Sequence, residues 1–367
     1  MKAVFTCGGT GGHINPALAV ARVLLERRPD SEILFVGAED GMEATLVPRE
    51  GFRLETLQIS SYMRSLKPSA IRHNVRAALS IRRALKKADR IIRDFQPDVI
   101  LGTGGYASYP MLHEGARLGI PTAVHESNAV PGLATKMVAD KVDRILVSFA
   151  DSRSAYRDPS RVIAVGMPVR EEFVFTRRAD ARRALGLDEK TPMIVSAWGS
   201  LGAREMNKKI AQFMKLECEQ DCWRHIHATG SFGWRWMPDY VREQGVDLAA
   251  QPRIEMREYI YDMPQVLAAA DLIICRAGAA TIAEVCASGT PCIMVPSPNV
   301  TGNHQEKNAR VLERSGAAAV VREADCDGKS LYETAKSILS DAGRMRAMRA
   351  SARDMAVVDA AERIYQT

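Results

Sequence analysis

The stretch Thr6-Cys7-Gly8-Gly9-Thr10-Gly11-Gly12-His13-Ile14-Asn15-Pro16 carries the first residues that could do chemistry. Glycines let a backbone turn sharply and come close to a ligand. The stretch follows a short apolar run, Ala3-Val4-Phe5, which predicts a buried strand. It precedes Ala17 to Leu25, whose apolar spacing predicts an amphipathic helix. Such a helix aims its first-turn N–H groups, with about +0.5 of an elementary charge, into the turn. Phosphate or pyrophosphate is the usual guest of this strand-turn-helix context. His13 adds an imidazole beside the anion site, able to take or give a proton near neutral pH. A plain tight loop would use the same glycines.

Other polar clusters also follow apolar runs. Arg276 to Glu284 comes directly after Leu272-Ile273-Ile274-Cys275. Its small residues would let a helix N-terminus approach a ligand, and Glu284 falls inside that helix. A carboxylate so placed commonly accepts hydrogen bonds from ribose hydroxyls; a solvated helix glutamate is the alternative. Pro296 to Asn308 is rich in amides and hydroxyls, which suit sugar hydroxyls because amides both donate and accept. Gln305 and Asn308, three apart, share a helix face, whereas Asn299 and Asn303 read as turn residues. Gly102-Thr103-Gly104-Gly105-Tyr106 and His125-Glu126-Ser127-Asn128 end two further runs. Several polar strand ends on one sheet edge mark a ligand crevice.

The elements that must position these residues alternate between strand and helix patterns. That predicts βαβ units and mostly parallel sheets. At 367 residues the chain is long enough for about two domains. A charged stretch from Arg177 to Lys190 follows Pro168, so the boundary is expected there. The second half opens as the first does, with Met193 to Ala197, then a glycine-bearing turn, then a helix. Two Rossmann-like α/β domains facing a cleft are the simplest architecture. The alanine- and arginine-rich Asp341 to Tyr365 reads as helical throughout. Composition, 46% hydrophobic and 26% charged, is that of a soluble globular protein. No signal-peptide or membrane-spanning pattern is seen, so a cytosolic protein is expected. The odd count of seven cysteines, scattered, predicts no disulfide framework and no zinc site. A formal charge of +6 suits an anionic ligand or membrane surface. Nucleic acid is not expected, because the basic residues are not interleaved with aromatics.

Taken in order, Gly8 to His13 with Pro16 to Ala19, Gly104-Gly105-Tyr106, His125 to Asn128, Gly199-Ser200-Leu201-Gly202-Ala203 and His304 to Asn308 resemble the MurG family. These are the N-acetylglucosaminyltransferases of peptidoglycan synthesis. The match runs to about Ala319, and the final helix fits as well. Leu201 and Ser127 stand where the family usually has glutamine. The resemblance implies the B-type glycosyltransferase fold, with UDP-N-acetylglucosamine as donor and undecaprenyl-diphospho-N-acetylmuramoyl-pentapeptide (lipid I) as acceptor. It implies residues 1–168 as an acceptor- and membrane-binding domain, 169–344 as the UDP-sugar domain, and 345–367 as a C-terminal helix packing back on the first. Arg170 and Ser200 would contact the diphosphate, the Ile260 backbone would hold uracil, and Glu284 would bind ribose. Ala279, Gln305 and Asn308 would line the sugar, approached from the first domain by Thr10, Gly11, Gly12 and Asn128. Gly8, Gly9, Gly104, Gly105 and Tyr106 would cradle the acceptor diphosphate. No cofactor and no metal are implied.

The chemistry then asks for a base to take the acceptor hydroxyl's proton and a positive field for the departing UDP. His13 is the candidate base; the alternative is that it only binds the acceptor or caps the helix. An α-linked donor and a β-linked product need one in-line displacement. Arg72, Arg76, Arg82, Arg83, Lys86, Lys87, Arg90 and Arg93 make 71–95 a basic amphipathic helix. Such a helix suits peripheral binding to the anionic inner face of the cell membrane, or simply a solvated surface. Other cell-wall synthesis proteins are expected partners under the same resemblance. The rival readings are a UDP-N-acetylglucosamine 2-epimerase on the same fold and a nucleotide-sugar-binding subunit without activity of its own. A dehydrogenase fits less well, since only Glu39 and Asp40 are near the place of a ribose-binding acid.

Overall fold

The computed structural model describes residues 1–59, 68–220 and 223–367, with backbone alone for 68–79 and 301. Arg72 and Arg76 therefore lie outside the described side chains. The chain divides into two units, Met1–Val169 with Asp359–Thr367, and Arg170–Val358.

Unit 1 runs β1 (Lys2–Thr6), α1 (Gly11–Arg27), β2 (Glu32–Ala38), α2 (Glu43–Arg49), β3 (Arg53–Leu57), α3 (Pro68–Phe95) and β4 (Val99–Gly102). It continues with α4 (Ser108–Arg117), β5 (Thr122–Glu126), α5 (Leu133–Val138), β6 (Arg144–Val147) and β7 (Val162–Ala164). Among the described residues its sheet has seven strands in the order β3-β2-β1-β4-β5-β6-β7. Every pairing is parallel, with Phe5 beside Phe35 and Leu101. A parallel sheet is covered on both faces, so alternate residues enter different cores. Val4, Leu34, Val36 and Ile100 join Ala88 and Ile92 of α3 and Met111 of α4. Ala3, Phe5, Phe35 and Leu101 join Ile14, Ala17 and Leu24 of α1.

Unit 2 runs α6 (Glu172–Phe175), α7 (Arg178–Ala184), β8 (Met193–Ala197), α8 (Arg204–Gln220), β9 (Arg224–Ala228), α9 (Met237–Glu243), β10 (Ile254–Arg257) and α10 (Met263–Ala269). Next come β11 (Leu272–Cys275), α11 (Ala279–Ser288), β12 (Cys292–Met294), α12 (His304–Arg314), β13 (Ala318–Val320), α13 (Gly328–Leu339) and α14 (Ala342–Asp354). Its parallel sheet among the described residues is β10-β9-β8-β11-β12-β13. Asp271, just ahead of β11, accepts ion pairs from Arg178 (2.6 Å), Arg182 (3.3 Å) and Arg349 (3.3 Å). One carboxylate thus ties the segment entering this unit and the segment leaving it to the same strand.

The expected single helix over 345–367 is corrected. The chain is helical to Asp354, breaks, and resumes as α15 (Ala360–Gln366). Helix α14 packs on α11 and α13 within unit 2, while α15 packs on α1 within unit 1. Local propensity is helical across the whole stretch, but the two parts bury their apolar faces on different bodies. Ile364 enters the α1 core, and Glu362 pairs with Arg27 at 3.2 Å.

Ile364→Ala should lower the stability of unit 1 by about 2–3 kcal/mol. The four tryptophans, Trp198, Trp223, Trp234 and Trp236, all lie in unit 2. In urea, the circular-dichroism transition should therefore move while the tryptophan-fluorescence midpoint stays in place. A shift confined to fluorescence would contradict this assignment of α15.

Candidate active site

Both sheets reverse their strand order beside the first strand of the unit, between β1 and β4 and between β8 and β11. Open α/β sheets bind ligands at such switch points, beyond the carboxyl ends of the strands. The polar clusters of the sequence sit at those ends.

In unit 1 the opening turn leaves β1 and enters α1 at Gly11. The Thr10 carbonyl accepts from His13 N (3.0 Å) and Ile14 N (3.2 Å). The first-turn N–H groups of Gly11 and Gly12 have no partner inside the helix. No acidic residue stands in that turn, so the positive end of α1 is uncompensated. Gly9 differs: its N–H donates to the buried carboxylate of Glu43 at 3.1 Å.

His13 lies on the first turn of α1 and is half-buried. Its Nδ1 is 3.1 Å from the Thr103 carbonyl, and the Thr103 hydroxyl donates to the His13 carbonyl at 2.6 Å. A carbonyl can only accept, so in the neutral ring the proton sits on Nδ1 and the lone pair on Nε2. Thr103 begins the second glycine loop. A Cβ on Gly104 would come within 2.6 Å of His13 Nδ1, and one on Gly105 would run into the Gly8 carbonyl oxygen. Both glycines have positive φ, +102° and +80°. The two loops therefore pack backbone to backbone, and glycine is required there by space as well as by conformation. Tyr106 lies beside Gly9, and its phenol is held above the usual range by burial and by the charges of Glu43 and Asp40. It stays a hydrogen-bond donor.

The β5 loop is organised by Glu126, a residue without a role in the sequence reading. Its buried carboxylate accepts from Asn128 N (3.0 Å), Asn128 Nδ2 (3.1 Å), Gly132 N (2.9 Å) and Thr135 Oγ1 (2.6 Å). Asn128 is thereby fixed at the strand end. His125 points inward: its Nε2 meets the Gly166 carbonyl at 2.9 Å, and burial keeps it neutral by lowering its pKa. Ser127 is buried too, and its hydroxyl has no hydrogen-bond partner among the described residues.

In unit 2 Ser200 and Leu201 are exposed on the turn between β8 and α8. Their carbonyls accept from Ser231 N (3.1 Å) and Phe232 N (3.3 Å), so this turn too is backed by its neighbour. Glu284 lies on α11, half-buried. Desolvation pushes its carboxyl up to about 7, opposed by the positive charge of Arg170. Glu284 and Arg170 in turn act with opposite signs on the Tyr259 phenol, which burial raises. Arg170, Tyr259 and Glu284 thus share one electrostatic neighbourhood, although they are far apart in sequence. Ile260 is buried between Tyr259 and Tyr261, both exposed, whose rings meet edge to face at 4.9 Å. The Ile260 side chain is closed to a ligand.

Ala279 opens α11, again with no acid in its first turn. Gln305 is half-buried, and its Oε1 accepts from Ser297 N at 2.9 Å. Asn308 is fully buried and donates to the Ala277 carbonyl at 3.2 Å. It supports the turn before α11. Asn303, with φ +52°, is the turn residue expected of it. Arg276 was not singled out by its chemistry, yet it braces two strand ends. It donates to the Val295 carbonyl (3.0 Å) and pairs with Glu323 (2.7 Å).

The glycosyltransferase family 28 N-terminal domain matches residues 3–147, and the family's C-terminal domain matches residues 193–364. The chain belongs to glycosyltransferase family 28. Two relatives are named UDP-N-acetylglucosamine--N-acetylmuramyl-(pentapeptide) pyrophosphoryl-undecaprenol N-acetylglucosamine transferase. The one from Acetivibrio thermocellus is 39% identical and covers 100% of this chain and 97% of its own length. That from Listeria welshimeri is 37% identical, with 100% and 98% covered. The crystal structure of Acinetobacter baumannii MurG, 26% identical, aligns over 100% of this chain and 98% of that one with a TM-score of 0.78. A UDP-GlcNAc 2-epimerase from Neisseria meningitidis, 12% identical with a TM-score of 0.67, shares the fold. The family 28 chain thus has the two-domain B-type glycosyltransferase fold expected of it.

Gly105→Ala should displace the opening turn and lower glycosyl transfer on the order of a hundredfold. Steady-state rates of the purified variant measure this. Transfer within a few-fold of the native enzyme would show that the turn tolerates the side chain.

Proposed function

We propose that this enzyme transfers N-acetylglucosamine from UDP-N-acetylglucosamine to the C4 hydroxyl of undecaprenyl-diphospho-N-acetylmuramoyl-pentapeptide, with inversion, giving the β-1,4-linked product. The observation that carries the reading is that kinship with transferases of that name spans the whole chain, both switch-point edges included.

Unit 2 takes the donor. The Ile260 backbone meets uracil, Glu284 accepts from the ribose hydroxyls, and Arg170 and Ser200 meet the diphosphate. Ala279, Gln305 and Asn308 line the sugar. Thr10, Gly11, Gly12 and Asn128 of unit 1 are assigned to the donor by the same kinship. Gly8, Gly9, Gly104, Gly105 and Tyr106 face the acceptor's diphosphate. The acceptor hydroxyl attacks the anomeric carbon as the bond to UDP breaks. His13 Nε2 receives the hydroxyl proton, and the Thr103 carbonyl steadies the imidazolium through Nδ1–H. Charge gathering on UDP meets Arg170 and the N-terminal ends of α8 and α11.

The enzyme works at the cytoplasmic face of the membrane. Among the described residues, no helix is long and apolar enough to cross it. On α3, Arg82, Arg83, Lys86, Lys87 and Arg90 are exposed, while Ala84, Ala88, Ile91 and Ile92 are buried. That spacing puts the five cations on one stripe, suited to anionic headgroups.

His13→Ala should cost about 10²–10⁴-fold in transfer from UDP-N-acetylglucosamine to a lipid I analogue. A rate within a few-fold of native would remove His13 as the base. Binding of UDP-N-acetylglucosamine should also depend on Glu284. Below a pKa of about 7 its carboxyl is neutral and accepts less well, while the donor's diphosphate diester gains no proton between pH 6 and 8. Affinity should weaken about tenfold from pH 8 to pH 6, and Glu284→Gln should flatten that profile. Calorimetric titration measures both; a flat native profile would dismiss Glu284 as the ribose acceptor.

A further inference from the structure

We propose that Glu43 is a positioning residue for the acceptor, holding the opening turn in its working shape from behind. The proposal rests on the reading that this turn faces the acceptor.

Glu43 is the first residue of α2 and is wholly buried. One carboxylate oxygen accepts from Ala38 N at 2.7 Å, and the other from Gly9 N at 3.1 Å. It therefore joins the end of β2 to the turn that follows β1. The chain has cleared room for it. A Cβ on Gly37 or Gly41 would collide with the Glu43 side chain, and one on Gly8 would stand 3.0 Å from its Oε1. Three backbone positions, in the opening turn, in β2 and in the turn before α2, thus enclose one carboxylate. Among the described residues, no Lys, Arg or His lies within ion-pair distance of it.

The residue type matters. A carboxylate only accepts, so it satisfies two N–H donors at once, and charge strengthens both bonds. A glutamine of the same shape would turn its NH₂ towards one of the two donors. The bond to Gly9 also decides which N–H groups remain for a ligand. With Gly9's committed inward, the donors at the helix start are those of Gly11 and Gly12. Glu43's charge stands behind an anion site and opposes it, so the carboxylate is not there to attract the diphosphate. Its effect passes through Gly9 to the turn that carries His13 three residues after Thr10. A small misplacement of a reacting group is costly, even when its cause lies away from the chemistry.

The test compares native enzyme, Glu43→Gln and Glu43→Asp as full chains. Three readouts are needed: transfer efficiency towards a lipid I analogue, UDP affinity by calorimetry, and amide exchange over residues 7–12. Both variants should lose on the order of tenfold or more in kcat/KM for the acceptor. Exchange over 7–12 should quicken, and UDP affinity, which reports that unit 2 is folded, should stay within about twofold. Glu43→Asp keeps the charge but is one methylene short, so it carries the test even where Glu43→Gln does not fold. Native-like efficiency in either variant would overturn the positioning role. Loss of UDP affinity with acceptor efficiency unchanged would instead overturn the reading that the turn faces the acceptor.

Discussion

In unit 1 the Gly8 carbonyl oxygen lies where a side chain at position 105 would have to begin. In unit 2 the Thr229 carbonyl lies in the same way against Gly202. At both edges the turn after the first strand rests on the turn after a neighbouring strand, main chain on main chain. Such a contact holds a loop still without spending side chains on it. It leaves the first-turn N–H groups and the neighbouring side chains for ligands. Preorganised donors of this kind need little rearrangement when charge develops on a substrate. Parallel pairing of β1 with β4, and of β8 with β9, sets the turns at contact distance.

The electrostatics follow from the same layout. Helices α1 and α11 start without acidic residues, so their positive ends are not neutralised by their own first turns. The carboxylates near the site are set to other tasks. Glu126 and Glu43 bind backbone N–H groups and shape loops. Glu284 is driven towards neutrality by burial, with Arg170 pulling the other way. A ribose diol donating to that carboxylate would stabilise its charged form, which couples donor binding to proton release.

Much of this was legible in the sequence. Apolar runs bounded by glycines and prolines marked the strands, because parallel strands are buried on both faces. The glycine-rich turns were legible for the same reason, since only their backbones can approach a phosphate. What stayed hidden was non-local. Glu43 looks like any acid at a helix start until β2 and the opening turn fold around it. The bond from Asn308 to the Ala277 carbonyl is equally hidden, because that carbonyl lies many residues upstream. The break between α14 and α15 has no glycine or proline to announce it; it arises because the chain changes the body it packs on. Strand β13, Ala318–Val320, is too short and too alanine-rich to show a pattern.

Under the proposed function, unit 2 would hold the nucleotide and the opening turn of unit 1 would serve the acceptor. Amide hydrogen exchange on the full-length enzyme with saturating UDP separates the two roles, because UDP carries the nucleotide alone. Protection is predicted over 199–204, 258–262 and 276–284, with exchange over 7–13 and 103–106 unchanged. Protection of 7–13 by UDP, with 199–204 and 276–284 unaffected, would place the nucleotide on unit 1 instead.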